Sequence, residues 1–232
     1  MGVGFDVISD LHLSPNDSFN WEGKATSLYL IVAGNVSSDV RTIGLTLSHL
    51  SKFYQGVFYT PGALEYHEVS DVDARTDEIL KITKRIGNVA VLYHHVVIID
   101  GIAVLGTNGW YGNTNTDDPV ANLKVELLRN DDIHYLKNSI EKLQKHLDVA
   151  KIIVVTNSVP NTNLYFGEIP DYVRGQLPLD IALYADTQSK VSHWVFGTHG
   201  KIVDITVNNI NYLNNPSYKI KPYWAKRLEI TV

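Results

Sequence analysis

Six consecutive apolar residues, Leu28-Tyr29-Leu30-Ile31-Val32-Ala33, end abruptly at Gly34-Asn35. A strand with one wet face alternates apolar and polar residues, so an unbroken run of strand length predicts a strand buried on both faces, as in a parallel sheet. That requirement points the chain to α/β architectures, in which helices or a second sheet cover both sides. The pattern recurs along the sequence. Gly4-Phe5-Asp6-Val7-Ile8 runs into Ser9-Asp10-Leu11-His12, and Gly56-Val57-Phe58-Tyr59-Thr60 into Pro61-Gly62. Ile152-Ile153-Val154-Val155-Thr156 runs into Asn157-Ser158, and Trp194-Val195-Phe196-Gly197 into Thr198-His199-Gly200. In open α/β sheets the working residues sit just past such strand ends.

Helical patterns fall between these runs. Ser38-Asp39 is a start signal followed by Ile43, Leu47, Leu50 and Tyr54 on one face, and residues 73–86 carry Ile79, Ile82 and Ile86. Residues 89–92, 95–99 and 102–105 read as short strands. Asp100-Gly101 joins the last two as a tight hairpin, so antiparallel pairing is expected to begin in this stretch. Residues 108–119 form a long polar loop holding Trp110 and Tyr111. Ile133, Leu136, Ile140, Leu143 and Leu147 step by threes and fours, the clearest helix in the chain. Residues 159–190 mix loop with a helix around residues 179–185, and Asn208-Asn209 separates the two strands of a closing hairpin at 202–207 and 210–213. No internal repeat, linker or composition break appears, so residues 1–232 are read as one domain.

Composition removes several classes of function. With no cysteine, disulfides, thiolate metal sites and thiol catalysis are excluded. A net charge of -5 with no basic run argues against a dedicated nucleic-acid surface. No apolar run is long enough to span a bilayer, and no basic-then-apolar leader opens the sequence, so the expectation is a cytoplasmic protein without membrane contact.

Asp10 and His12 are two apart, which on an extended segment points both side chains to one side and makes half of a site for a hard or borderline cation. Taken with Gly34-Asn35, Gly62-Ala63-Leu64-Glu65, Thr156-Asn157-Ser158 and Gly197-Thr198-His199, the series resembles the calcineurin-like metallophosphoesterases. The motifs of that family are Asp-x-His, Gly-Asp, Gly-Asn-His-Asp/Glu, an isolated His and Gly-His-x-His. The resemblance covers almost the whole chain, including the aromatic loop near Trp110 and Asn215-Pro216-Ser217-Tyr218. It implies an α/β fold of two mixed β-sheets packed face to face with flanking helices, a four-layer sandwich. It also implies a two-metal hydrolysis in which paired cations clamp the attacking and leaving oxygens.

Carried over residue by residue, most of that machinery is altered. The bridging aspartate falls on Asn35, the asparagine ligand on Ala63 and the leaving-group histidine on Leu64, so no catalytic residue remains there. The isolated histidine falls on Asn157 or Ser158. The last motif either loses both histidines to Thr198 and Gly200 or, with one deletion, keeps His199; the deletion is preferred because it matches the family's terminal Thr-His pair. One metal site then retains Asp10, His12, Asn35 and His199, while the other is reduced to Asn35, Ala63, Asn157 and Thr198.

The resemblance therefore implies a pseudoenzyme acting as a binding or assembly module, with a protein partner. It would need no cofactor, or one weakly held manganese or zinc ion. A weak single-metal phosphoesterase acting on a phosphodiester or nucleotide, and a nucleotide- or phosphate-binding sensor, are the alternatives. A compact copy with replaced ligands also suits a phage or other rapidly evolving genome. Ala63 and Leu64 are expected to pack where ligands once pointed. Glu65 and His67 are the candidates for a replacement acid/base pair, and His94-His95 is expected at a turn or edge. Trp110, Tyr111, Tyr165 and Trp194 are read as core or rim aromatics. The basic, aromatic segment from Lys219 to Arg227 is read as a solvated final strand or a contact for an acidic partner.

Overall fold

In a computed structural model of the chain, described here for residues 2–110, 119–165, 189–218 and 222–231, the continuous apolar runs are the inner strands of two sheets. The first sheet holds β1 (Gly2–Ile8), β2 (Tyr29–Ala33), β3 (Gly56–Thr60), β4 (Val89–Val91) and β11 (Lys226–Thr231), in the order β11-β1-β2-β3-β4. Strands β1 to β4 are parallel and β11 runs antiparallel to β1 at the edge. The second sheet holds β5 (His95–Ile99), β6 (Ile102–Thr107), β7 (Lys151–Thr156), β8 (Val191–Phe196), β9 (Asp204–Val207) and β10 (Ile210–Leu213), in the order β5-β6-β7-β8-β10-β9. Its central strands are parallel, with an antiparallel hairpin at each edge.

Three helices, α1 (Val40–Leu50), α2 (Val72–Thr83) and α3 (Pro119–Lys145), cover the outer faces. The side-chain alternation explains why the runs are unbroken. Leu30 and Val32 point outward onto Ile43, Leu47 and Leu50 of α1 and Ile79 of α2. Ile31 and Ala33 point inward and meet Val104, Ile153, Val155 and Val195 of the opposite sheet. On the far side Leu105, Ile152 and Val154 pack under Leu136, Ile140 and Leu143 of α3. Each such buried side chain contributes roughly 1.5–3 kcal/mol over an exposed one. The layers are therefore helix, sheet, sheet, helix, as the resemblance implied.

Several expectations shift in detail. Strand β4 pairs parallel with β3, so antiparallel pairing begins only at the β5–β6 hairpin. Leu28 lies outside β2, and Tyr54 is buried beyond the end of α1. Leu147, counted on the apolar face of the long helix, lies past its end and is 98% exposed. The helix expected near 179–185, the loop residue Tyr111 and the basic residues Lys219 and Lys221 lie outside the described residues. Lys226 and Arg227 of the basic segment do open a final strand, β11.

Two polar devices hold the layers in register. Asp6, wholly buried in β1, accepts hydrogen bonds from Thr26 N (2.7 Å), Thr26 Oγ1 (2.5 Å) and the Tyr54 hydroxyl (2.9 Å), which satisfies a charge that burial alone would make costly. Burial and the neighbouring carboxylate push the Tyr54 phenol upward. Between the sheets, Lys226 of β11 meets Asp204 of β9 at 2.8 Å, beside half-buried His193 of β8.

Desolvation and the charge of Lys151 push the His193 imidazole down to about 4, against the attraction of Asp204. Because the folded value lies below the unfolded one, the unfolded chain takes up this proton first as pH falls. The associated stability is present above about pH 6.5 and is lost as pH falls toward 4. Denaturant melts should show about 2 kcal/mol lost from this group between pH 7 and pH 5. His193→Gln should flatten that slope; an unchanged slope would show that His193 titrates normally.

Candidate functional site

The loops that leave β1, β2, β3, β7 and β8 converge at one end of the two sheets. Asp10 N–H donates to Gly34 O (3.0 Å), His12 N–H to Asn35 O (2.9 Å) and Gly197 N–H to Asn157 O (3.0 Å), so the loops are tied backbone to backbone. Four non-glycine residues here are left-handed: Asp10 (φ 54), His12 (φ 48), Asn35 (φ 57) and Thr198 (φ 54). For a β-branched residue such as Thr198 this is a strained conformation, and such strain gathers at sites where side chains must be aimed. Asp10 and His12 are therefore not on an extended segment, as the spacing suggested. They reach one cavity through two left-handed turns, with His12 Nε2 3.9 Å from Asp10 Oδ1.

Asn35 is the hub. Its Nδ2 donates to Asp10 Oδ1 (2.8 Å) and to Thr198 Oγ1 (3.1 Å), and its Oδ1 accepts from Leu64 N–H (2.9 Å). The orientation is forced, because a carboxylate only accepts and a backbone N–H only donates. The amino group of Asn35 therefore faces Asp10. Asp10, itself buried, also accepts from Thr198 N–H (3.0 Å) and from Ser9 Oγ (2.7 Å).

Asn157 closes the other half. Its Oδ1 accepts from Ala63 N–H (3.0 Å) and Thr198 Oγ1 (2.8 Å), while its Nδ2 donates to Ala33 O (3.1 Å). Glycines leave room for this amide: a Cβ on Gly34, Gly62 or Gly197 would stand 2.5, 2.7 or 2.7 Å from Asn157 side-chain atoms. Beneath it Glu65, wholly buried, accepts from the backbone N–H groups of Gly62 (2.7 Å), Asn35 (3.1 Å) and Val36 (2.6 Å). Burial pushes the Glu65 carboxyl up, and the backbone bonds pull it down.

A cavity of about 250 Å³ opens over this network, lined by Asp10, His12, Asn35, Thr198, His199, Gly200, Pro216 and Tyr218. The His12 ring lies 4.6 Å from the Tyr218 ring. His199 Nδ1 sits 2.8 Å from the Lys201 carbonyl oxygen and 3.2 Å from the Lys201 backbone nitrogen, so the backbone of its own loop holds the ring in place. The structure thus brings Asp10, His12, Asn35 and His199 around one cavity, with Thr198 beside them and Asn157 behind.

Two further expectations are corrected. Ala63 is exposed and Leu64 only half-buried, and neither lines the cavity; what the site uses of them is their backbone N–H groups, held by Asn157 and Asn35. Glu65 and His67 form no acid/base pair: Glu65 is buried under three backbone donors and His67 faces solvent. His94, at the turn before β5, pairs with buried Asp132 at 2.7 Å and lies between the Tyr93 and Tyr135 rings. Trp194 is core, Trp110 packs on Tyr66 at 5.0 Å, and Tyr165 sits 5.0 Å from His199.

Sequence reasoning missed Ser9, the cavity roles of Pro216 and Tyr218, and Asp132, which also accepts from Gly109 N–H (2.7 Å) and Thr107 Oγ1 at the start of the aromatic loop. Only Ser9, adjacent to Asp10, and the Asn215-Pro216-Ser217-Tyr218 run offered a signal.

The donor set does not fit a two-metal centre. Ala63 has no side-chain ligand atom, both ends of the Asn157 amide are hydrogen-bonded, and Asn35 turns its amino group toward Asp10. Among the described residues no three His, Asp or Glu side chains come together as a metal-binding group.

No protein-family model matches the sequence, and no curated protein matches it. Solved structures do. The phosphopantetheinyl hydrolase of Mycobacterium tuberculosis superposes with a TM-score of 0.71 at 15% identity, over 97% of this chain and 95% of that one. A second solved structure gives 0.62 at 12% identity, over 93% and 91%. The chain has the calcineurin-like phosphoesterase fold. At these identities the likeness is one of fold.

Restoring a carboxylate at the hub tests its electrostatics. Asn35→Asp removes two donors and sets a second carboxylate against Asp10, so in chelator it should cost about 2–4 kcal/mol in denaturant melts. Added manganese or zinc should recover part of that loss. A neutral effect would show that the hydrogen bonds from Asn35 to Asp10 and Thr198 do not organise the site.

Proposed function

We propose that this chain is a single metallophosphoesterase-fold domain that has given up two-metal hydrolysis and works as a binding or assembly module. The observation that supports this most is the Asn35 amide, which spans Asp10, Thr198 and Leu64 with its hydrogen bonds. Where the family's reaction needs an anionic oxygen bridging two cations, this side chain presents N–H groups to the one remaining carboxylate. Leu64 in the leaving-group position has no proton to give, and Ala63 cannot hold a phosphoryl oxygen through a metal. The two losses disable separate parts of one mechanism.

A second reading, a single weakly held manganese or zinc ion supporting slow phosphoester cleavage, is favoured by one feature. His199 lines the same cavity as Asp10 and His12, its Nδ1 taken up by the Lys201 backbone. The residues that would hold such an ion are Asp10, His12 and His199; the ion would polarise a phosphoryl oxygen. It would also have to displace the Asn35 amino group from Asp10 Oδ1, which makes the binding reading the stronger one.

Metal analysis of protein purified without chelator, beside thermal melts with and without chelator and a phosphodiesterase assay with manganese, separates the two. The expected result is at most one metal per chain, a melting temperature that chelation barely moves, and no turnover above buffer. Two stoichiometric metals, or manganese-dependent hydrolysis abolished by Asp10→Ala, would overturn the proposal.

A further inference from the structure

Among the described residues, the cavity over Asn35 has a carboxylate in its lining, Asp10, and no lysine or arginine side chain. A carboxylate has about four lone-pair positions. Asp10 Oδ1 is filled by the Asn35 Nδ2 donor (2.8 Å) and the Thr198 N–H (3.0 Å), while Oδ2 accepts from Ser9 Oγ (2.7 Å). An acceptor position on Oδ2 therefore stays open. These donors are neutral, so they meet the hydrogen-bonding capacity of Asp10 without cancelling its charge. Asp10 is only 4% exposed, and a charge held this far from bulk water is poorly screened. The cavity floor is anionic, with no side-chain cation to balance it.

A further acceptor and an aromatic wall stand beside that charge. His12 Nε2 lies 3.9 Å from Asp10 Oδ1, beyond hydrogen-bond reach, and the His12 ring makes no hydrogen bond among the described residues. A neutral imidazole always keeps one acceptor nitrogen. Tyr218 sets its ring 4.6 Å from the His12 ring and is itself 48% exposed. Trp224, 39% exposed, belongs to the same surface segment, because Asn215 Nδ2 donates to its carbonyl (2.9 Å) next to the cavity-lining Pro216. Exposed Tyr and Trp side chains beside a small pocket mark protein-binding surfaces, where both are enriched.

We propose, resting on the reading of the chain as a binding module that needs no metal, that this cavity is a socket for the guanidinium group of an arginine carried by a protein partner. A guanidinium holds its N–H donors in one rigid plane, so one fills the open position on Asp10 Oδ2 while a neighbour meets the His12 nitrogen. Its face stacks on the Tyr218 ring, and its methylene stem runs along Pro216.

Other ligands fit this lining less well. A phosphate would face the Asp10 charge with no cation to offset it. A lysine ammonium is a compact, strongly hydrated point charge that lacks the planar fork and the stacking face. A free arginine would bring its own carboxylate into the same anionic field, which favours an arginine whose carboxyl is tied up in a peptide chain.

NMR titration of the labelled chain, in chelator at low salt, tests the socket with N-acetyl-arginine amide as the probe. The Thr198 amide and His12 ring signals should shift, and binding should weaken as salt is added. N-acetyl-citrulline amide, the same shape without the charge, should bind about tenfold or more weakly. N-acetyl-lysine amide and free arginine should also bind more weakly than the probe, and inorganic phosphate should leave these signals in place. Asp10→Asn should abolish binding. Tyr218→Ser, at an exposed position, should weaken it and guards against a variant that fails to fold. Equal binding of the citrulline probe, shifts produced by phosphate, or tighter binding of free arginine overturns the proposal. No shift with the probe, while metal analysis and hydrolysis assays stay negative, overturns the socket alone and leaves the binding module standing. Stoichiometric metal or manganese-dependent turnover overturns that reading, and the socket with it.

Discussion

The hydrogen bond from Asn35 Nδ2 to Asp10 Oδ1 is the contact on which the rest of the site depends. It places a donor against a buried carboxylate, and charge-assisted bonds of this kind are among the stronger ones in proteins. Through its other two bonds the same amide reaches Thr198, on the loop after β8, and Leu64, on the loop after β3. One neutral side chain thus joins loops from both sheets. In a metal enzyme of this fold the cations would offset the repulsion between clustered carboxylates; here, among the described residues, Asp10 is the carboxylate that lines the cavity, and amide, hydroxyl and backbone N–H donors surround it.

A second amide repeats the arrangement from the other side. Asn157 occupies space that exists only because residues 34, 62 and 197 lack side chains. Those glycines sit at the ends of β2, β3 and β8, so the close approach of three strand ends and the seating of one amide are a single packing problem. Glu65 then binds the backbone of two of these loops from below. The network is nearly saturated, which makes its geometry rigid and leaves half-buried His12, exposed Tyr218 and the buried ring of His199 as the lining side chains that face the cavity.

Burial of the polar groups also shows where the fold tolerates little change. Asp6, Asp10, Glu65 and Asp132 are all buried, and each is surrounded by several donors rather than by a single cation. Multiple neutral donors satisfy a carboxylate without the cost of burying a second charge. Asp10 and Glu65 follow the ends of β1 and β3, at the cavity and beneath its amides, while Asp132, on α3, holds the start of the loop after β6.

The chain's own residues determined the layered architecture, because unbroken apolar runs demand cover on both faces and amphipathic helices supply it. They also located the site: small and polar residues end each buried strand, and strand ends in parallel sheets lie together. Sequence placed Asp10, His12, Asn35 and His199 in one group before any geometry was known. What it left undecided was how each side chain is used. Spacing suggested an extended Asp10–His12 segment, but two left-handed turns aim them. Glu65 read as a spare acid until three backbone donors were found around it, and Ala63 and Leu64 read as filler until their N–H groups were found taken. Leu147 continued a helical period that ends before it. These outcomes rest on contacts between residues far apart in the chain, 163 positions in the case of Asn35 and Thr198, and a local pattern carries no record of them.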